Sequence, residues 1–337
     1  MEILPGLPEE IGLECLTRLS FTTHRVASQV CHKWRNLLES KQFYCLRKKE
    51  GKTHQVACLV YSLPNGVRKQ TTSPAYGIAV FDSVNQNWEK LDPIPKYPNG
   101  LPLFCQLSSV EGKLVVMGGW DPTSWDPVSH VFVYDFMTQR WKQGKDMPSK
   151  RSFFAASAID DRVYIAGGHD ESKNALKSAW VYDVRKDEWT ELTQMSEERD
   201  ECEGLIVGKE FWVVSGYGTE HQGIFEQSVE CYELDTNQWK RIEGKWGSNR
   251  CPRGCVSVGK DGNLMSWADL DAKVRVGTCA VELGELTLVT GLAYQGATQG
   301  LFLVDMKKNK AADKKLERVE VPDEFSGFVQ SGCCVEI

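Results

Sequence analysis

The sequence predicts a mainly β repeat domain behind a short helical segment, and three observations carry that reading. From Gln55 onward, short runs alternate apolar and polar residues, the period of half-buried strands. Two aromatic markers recur in phase: Tyr134, Tyr182 and Tyr232 stand 48 and 50 residues apart, and Trp141, Trp189 and Trp239 keep the same step, a coincidence that points to internal repeats. The residues before Leu46 instead return apolar side chains at helical spacing.

In that first segment, Pro8 with Glu9 and Glu10 makes a good opening turn, since the missing proline N–H is harmless there and acids suit the positive end of a helix. Ile11, Cys15 or Leu16, and Leu19 then share a face. Thr22 or Thr23 can cap a second helix whose Val26, Val30, Trp34 and Leu37 or Leu38 form another stripe. Two or three such helices bury little surface by themselves, so their apolar faces need cover, from a partner or from the repeat domain. The polar stretch Leu46 to His54 marks the boundary, as a continuation of the last helix or a modest linker. The expected parts are therefore residues 1–46, 47–54 and 55–337.

The unit is clearest from Arg162 to Trp189: a strand ends in Gly167-Gly168, a polar loop follows, a second strand ends in Tyr182-Asp183, and a Trp stands seven residues after the Tyr. The preceding unit gives Gly118-Gly119, Tyr134-Asp135 and Trp141; the following one gives Gly216, Tyr232 and Trp239; a weaker copy carries Phe81-Asp82 and Trp88. Each glycine pair permits a turn or a close backbone approach. Each Trp is expected to wedge between neighbouring units, burying roughly 150–250 Å². The stretch from Gly254 to Gly277 holds two strands without the markers, and a final unit puts Val304-Asp305 in place of Tyr-Asp. The first unit shows three strands, while the terminal run FVQSGCCVEI is a strand without a unit, so it is expected to complete the first and close the array.

Composition excludes several classes. A net charge of −6 offers no global basic surface for nucleic acid or an anionic membrane, and Lys307 to Lys315, the one basic cluster, reads as a solvated hairpin loop. No apolar run approaches the ~20 residues of a membrane span. Twelve cysteines follow an N-terminus without the basic and apolar regions of a signal peptide, so they read as small core hydrophobes in a reducing compartment, cytoplasm or nucleus. Catalysis has little support. The six histidines lack the paired spacing of metal ligands, Cys251 and Cys255 lack a second pair, and there is no nucleophile elbow, P-loop or dinucleotide fingerprint. No cofactor is expected.

The first segment resembles an F-box: Leu7-Pro8-Glu9-Glu10-Ile11, Leu16 and Leu19, and Val30-Cys31-His32-Lys33-Trp34. The resemblance implies docking onto the Skp adaptor of a cullin-RING ubiquitin ligase, with Leu7, Pro8, Ile11, Leu16, Val30, Cys31 and Trp34 in the contact or in the core behind it. The repeats, with Gly-Gly, Tyr-Asp and Trp, resemble kelch motifs, which implies a β-propeller of four-stranded blades. The expected count is six blades with a degraded fifth, or alternatively five.

In such blades, the loop between strands two and three and the residues leading into strand one share a face, where binding sites are usually built. Arg151, Arg199, Arg253 and Arg275 recur before strand one, with Leu103 in that phase in the second blade. The companion loops offer Trp120, Trp125, His169, Tyr217 and Tyr294. Arginines among aromatics are the composition of a protein-binding hot spot, although each Arg could instead pair with a nearby acid such as Asp170 or Asp200. Nearly the whole chain, less closely after Trp246, is similar to plant F-box/kelch-repeat proteins, in particular the group with GLPLFC, RSFFA and ERDEC, present here as Gly100 to Cys105, Arg151 to Ala155 and Glu198 to Cys202. That resemblance implies a non-catalytic substrate receptor of an SCF-type ligase. The group is associated with turnover of phenylalanine ammonia-lyase; chalcone synthase and type-B response regulators of cytokinin signalling are alternative targets. A kelch scaffold or enzyme unconnected with ubiquitin is the competing class.

Overall fold

The computed structural model describes residues 3–63, 75–259, 261–305 and 316–337; the basic stretch from Lys307 to Lys315 lies outside them. Four helices come first, α1 (Glu9–Thr17), α2 (Phe21–Ala27), α3 (His32–Leu38) and α4 (Lys41–Lys49), where the sequence led us to expect two or three. The expected long second helix is broken at residues 28–31, because Cys31 turns extended and its Sγ caps the Trp34 N–H, starting α3. Ser40 caps α4 in the same way, and α4 runs on through the polar stretch to Lys49. The helices share a core of Leu16, Ala27, Leu38 and Phe43, and the buried Arg47 guanidinium ties it together by donating to the carbonyls of Thr17, Leu19 and Lys52.

Five four-stranded antiparallel sheets follow. Strands β1 (Gln55–Ser62), β2 (Tyr76–Asp82) and β3 (Asn87–Lys90) belong to the first. The second is β4 (Gln106–Val110), β5 (Lys113–Met117), β6 (Val131–Asp135) and β7 (Arg140–Gln143), and the third is β8 (Ala155–Ile159), β9 (Arg162–Ala166), β10 (Ala179–Asp183) and β11 (Glu188–Glu191). The fourth is β12 (Glu203–Val207), β13 (Glu210–Val214), β14 (Val229–Glu233) and β15 (Gln238–Ile242). A hairpin, β16 (Val256–Val258) and β17 (Leu264–Ser266), precedes the last sheet, β18 (Val276–Leu283), β19 (Leu286–Leu292), β20 (Gly300–Asp305) and β21 (Glu317–Arg318). The terminal β22 (Val329–Glu336) pairs antiparallel with β1 and completes the first sheet, as the unit lacking a strand predicts.

The chain is thus a mainly β kelch-type propeller behind helices, with five complete four-stranded blades among the described residues, the alternative count. A six-blade count is not confirmed. Where a degraded fifth blade was expected stands the hairpin, whose strands of three residues are too short to carry two more before 3₁₀ turns take over at Trp267–Asp269 and Ala272–Val274. Apolar clusters fill each gap around the ring. Val56, Val80, Leu114 and Phe132 join the first two blades, and Val131, Met117, Val163 and Ile165 join the next pair. Trp246 and Val256 seat the hairpin on blade four, and the fully buried Trp267 seats its far side on Val289 and Val304.

The phase markers do the work the spacing implied. Each Tyr faces its Trp across the third and fourth strands, and Trp141, Trp189 and Trp239 donate their indole N–H to the preceding blade, at Asp92 O (2.7 Å), Lys145 O (2.9 Å) and Thr193 O (2.6 Å). They are half-buried wedges with satisfied donors. The glycine pairs are needed twice over: Gly119 and Gly168 have φ of +88° and +79°, and a Cβ there would lie 2.5 Å from Leu103 O and 2.4 Å from Ser152 O.

The helices dock on the turns at the end of the blades away from the strand-one approaches. Phe21 meets Phe136 edge-on at 5.9 Å and enters the cluster that holds Val335 and Ile337. Tyr44 donates to Glu336 O, Lys48 and Thr53 hold the Glu336 carboxylate at 2.7 Å, and Lys41 meets Glu111. Beside this contact His24 is buried with its Nε2 unpartnered, and desolvation, helped by Arg47, lowers it to about 4. The unfolded chain then takes up its proton first as pH falls from about 6.5, so about 2–3 kcal/mol of stability present above pH 6.5 is lost on approach to pH 4.5. His24→Leu should flatten the urea midpoint across that interval relative to the wild type; parallel pH profiles would show His24 to titrate alike in both states.

Removing β22 exposes two clusters and leaves β1 an open edge. Truncation after Gly327 should abolish the cooperative thermal transition seen by circular dichroism, and a loss of only a few degrees would mean that the ring closes without it.

Candidate functional site

The residues leading into the inner strands follow a strict local pattern. Leu103, Ser152 and Asp200 form isolated bridges to Trp120, His169 and Tyr217, the first residues of the companion loops. The next residue in each case, Phe104, Phe153 and Glu201, has a φ of +57°, +56° and +50°, and Gly254 and Gly277 hold the same left-handed phase at +67° and +57°. A non-glycine residue in this region costs on the order of 1–3 kcal/mol and persists where the surroundings enforce it. Here the enforcement comes from Cys105, Phe154 and Cys202, each fully buried one position later. The kink plants that residue in the core and leaves the left-handed side chain half-buried at the mouth.

This register corrects the expected ring of arginines. Pro102 occupies the phase of Arg151 and Arg199, and Arg253, beside left-handed Gly254, falls one position later, in the phase of Ser152 and Asp200. Arg151 and Arg199 do not face a target: they are 1% and 0% exposed. Arg151 donates to the carbonyls of Gly167 and Ser178 and the hydroxyls of Ser149 and Ser178, and burial pushes it down to about 10. Arg199 meets the equally buried Glu230 at 3.2 Å and donates to Ser215 O and to the carbonyl and hydroxyl of Ser228. Both are struts that lash the loop between strands two and three to the approach to strand one of the same blade. The acid partner is Glu230 rather than Asp170 or Asp200.

A second chain of bonds crosses three blades. Trp120 Nε1 donates to Ser152 Oγ (2.6 Å), Ser152 Oγ lies 2.9 Å from His169 Nε2, and His169 Nδ1 lies 2.9 Å from Asp200 Oδ2. Because the Asp200 carboxylate only accepts, the ring presents its Nδ1–H to it, and in that neutral tautomer Nε2 accepts from the Ser152 hydroxyl. The order of groups is that of a hydrolase triad, but Ser152 has no exposed surface and its oxygen already accepts the indole proton, so no substrate reaches it. Tyr217 is buried as well; it donates to Glu201 at 3.1 Å, and its hydroxyl is pushed up by desolvation and by Asp200. His169 and Tyr217 are therefore framework.

What remains accessible differs from the expected set. Phe104 and Phe153 pack against one another with their rings tilted by 34° at 4.8 Å between centroids, and Trp120 lies edge-on to both. The Arg253 guanidinium lies 4.6 Å from the Phe153 ring centre. Trp125 and Tyr294 stand out from their loops at 50% and 69% exposure, and Arg275 is exposed without a described ion pair. Sequence reasoning missed Phe104, Phe153 and Glu201. The signal was present in Gly254 and Gly277, which stand in the same phase and mark a left-handed position. Beneath the mouth, the inner strands enclose a cavity of about 150 Å³. Among the described residues no group of three or more His, Cys, Asp or Glu side chains is arranged to hold a metal ion.

On the helical segment, Leu7, Ile11, Val26 and Val30 are exposed at 39%, 50%, 66% and 62%, and Pro8 and Cys31 are exposed beside them. Leu16 and Trp34 belong to the core behind: Leu16 is buried, and Trp34 packs on it with its indole N–H on Ile3 O at 2.9 Å.

Residues 4–46 match the F-box domain family, and residues 65–265 match the KLHDC2/KLHL20/DRC7 Kelch-repeats domain family. The F-box/kelch-repeat protein At1g80440 of Arabidopsis thaliana is 35% identical over the full length of both chains, and At1g15670 of the same plant is 34% identical over the same span. The Arabidopsis F-box/kelch-repeat protein SKIP20 is 37% identical across 75% of this chain and 69% of its own.

Arg199→Met leaves Glu230 buried and unpaired, and should cost about 3–5 kcal/mol by urea denaturation. Trp125→Ala and Arg275→Ala, at exposed positions, should each stay within about 1 kcal/mol of the wild type. A neutral Arg199→Met would show that the strut carries no load.

Proposed function

Since the chain belongs to the plant F-box/kelch-repeat family, we propose that it is the substrate receptor of an SCF-type ubiquitin ligase: residues 1–46 hold the Skp adaptor, 47–54 connect, and 55–337 hold the target. The observation that carries this reading is the exposure of Leu7, Ile11, Val26 and Val30, on α1, α2 and the turns beside them, in a segment whose other side chains are packed inward on their own core and downward on the propeller. Four exposed hydrophobes this close are out of place on a mere cap and fit an adaptor contact. The receptor itself is non-catalytic. It supplies proximity, raising the effective concentration of target lysines near the charged conjugating enzyme.

The target we propose is phenylalanine ammonia-lyase, so that the receptor lowers phenylpropanoid synthesis from the cytoplasm or nucleus. That choice rests on the likeness of GLPLFC, RSFFA and ERDEC to one group of the family. Chalcone synthase or a type-B response regulator would use the same mouth. The stretches that carry the likeness are the ones that set the mouth: they contain Phe104, Phe153 and Glu201.

The test is co-purification of the tagged full chain from proteasome-inhibited plant tissue. Adaptor should accompany the wild type and be lost from Ile11→Asp with Val30→Asp, while the melting temperature stays within a degree or two because both side chains face solvent. Ammonia-lyase should accompany the wild type and be lost from Phe153→Ala with Arg275→Ala. Adaptor without ammonia-lyase would overturn the target and keep the receptor. Indifference of the wild type to adaptor would overturn the receptor and favour a kelch scaffold.

A further inference from the structure

The cavity beneath the mouth holds groups of both signs that the fold leaves partly unused. Arg253 lines it with a guanidinium stacked on Phe153, and its Nη1 is buried with no hydrogen-bond partner among the described residues. Facing the same space, Glu203 accepts one backbone N–H on each oxygen, from Gly204 and Gly254, which leaves further lone pairs open. Ser331 Oγ, on β22, is buried and likewise unpartnered. Burial raises the Glu203 carboxyl, and the positive charge of Arg253 works against that rise.

Building on the receptor reading, we propose that this cavity reads a carboxamide: the side chain of an asparagine or glutamine in the target. An anionic group entering would meet Glu203, whose carboxyl already suffers from burial. A cationic group would meet Arg253. An apolar group would leave the Arg253 donor and the Ser331 hydroxyl unpaired in a desolvated space. A carboxamide carries an acceptor and two donors on one planar head, so its oxygen takes the Arg253 N–H and its nitrogen serves Glu203 and Ser331. The methylene stem then lies against the Phe104–Phe153 pair, whose rings are in contact with one another at 4.8 Å between centroids. At about 150 Å³ the space suits one such side chain and excludes a longer segment. A site built to hydrogen-bond both ends of a polar group rejects analogues that lack one end more strongly than any apolar pocket rejects a change of size.

The test is a selection of random seven-residue peptides displayed on phage against the full chain, followed by fluorescence anisotropy on the winners. Selected peptides should fix Asn or Gln at one position beside an apolar residue. Exchanging that residue for Asp, Lys or Met should weaken binding at least about tenfold, and so should Arg253→Met. Glu203→Gln removes the negative charge, and should narrow the preference for Gln over Glu. Should Arg253→Met fail to show the wild-type melting transition, Ser331→Ala on the channel wall provides the same comparison, with a several-fold loss expected. Enrichment of acidic or basic residues, no enrichment, or affinities indifferent to both variants would each overturn the inference. Adaptor co-purification from the same preparations keeps the two readings apart. Adaptor bound with no carboxamide preference defeats this inference alone, and a carboxamide preference without adaptor defeats the receptor alone.

Discussion

The pairing of β22 with β1 is the contact on which the remainder of the molecule depends. It joins residues 268 to 281 positions apart, Gln55 to Glu336 through Tyr61 to Val329, and turns an open array of sheets into a ring. Its upper end feeds the mouth, where Gln330 accepts the N–H of left-handed Phe104 and Ser331 lines the cavity. Its lower end feeds the helices, where Glu336 is held by Lys48 and Thr53 and Ile337 shares a cluster with Phe21. One strand therefore closes the ring, completes the channel and seats the adaptor-facing helices. The edges that remain are the inner and outer strands of each four-stranded sheet, and the ring keeps the inner ones facing the channel, where another chain has little access.

With the ring closed, the mouth can tolerate what an open sheet could not. Arg151 and Arg199 lie fully inside it, and a buried charge is poor evidence for stability, because well-packed apolar residues often do as well. What these arginines add is direction. Each donates to carbonyls at both ends of the loop between strands two and three, Gly167 and Ser178 for one and Ser215 and Ser228 for the other, and so fixes where that loop leaves the blade. The Trp120, Ser152, His169 and Asp200 chain does the same between blades. Against that fixed frame, three non-glycine residues are held left-handed, and their side chains become the rim.

The sequence made the blades legible because their markers are aromatic and keep phase: a Tyr opposite a Trp survives drift in loop length, as the intervals of 48 and 50 residues show. Closure was legible too, since a unit short of a strand and a strand short of a unit can satisfy each other. The mouth was harder. A recurring Arg reads alike whether it points out or in, and only hydrogen-bond geometry tells the difference. The one-residue offset at Arg253 follows from the left-handed kink, whose location depends on which neighbour is buried; Gly254 and Gly277 were its trace in the sequence. The break between α2 and α3 was hidden because a cysteine is an unusual cap. The hairpin resisted counting as a blade or a linker because it packs on both neighbours with two strands of three residues.

The way the two parts are joined bears on how a receptor of this kind would act. Eight free residues between helix and ring would leave the ends roughly 15 Å apart on average, in any direction, and would spread the target over a large volume. Here the connection is not free. His54 exchanges both backbone hydrogen bonds with Ile337, Arg47 holds the Lys52 carbonyl, and Glu111 gathers Lys41 from α4 and Arg185 from the third blade. The individual surface pairs are worth little, but together with the buried Phe21 contact they fix one orientation. The mouth stands at the far end of strands of about five residues, some 17 Å away. Proximity catalysis rewards such stiffness, because effective concentration rises when a tether permits few geometries, provided that the permitted one is productive. In a receptor of this kind the docking of α2 and α4 on the underside of the ring would matter as much as the surface that holds the target.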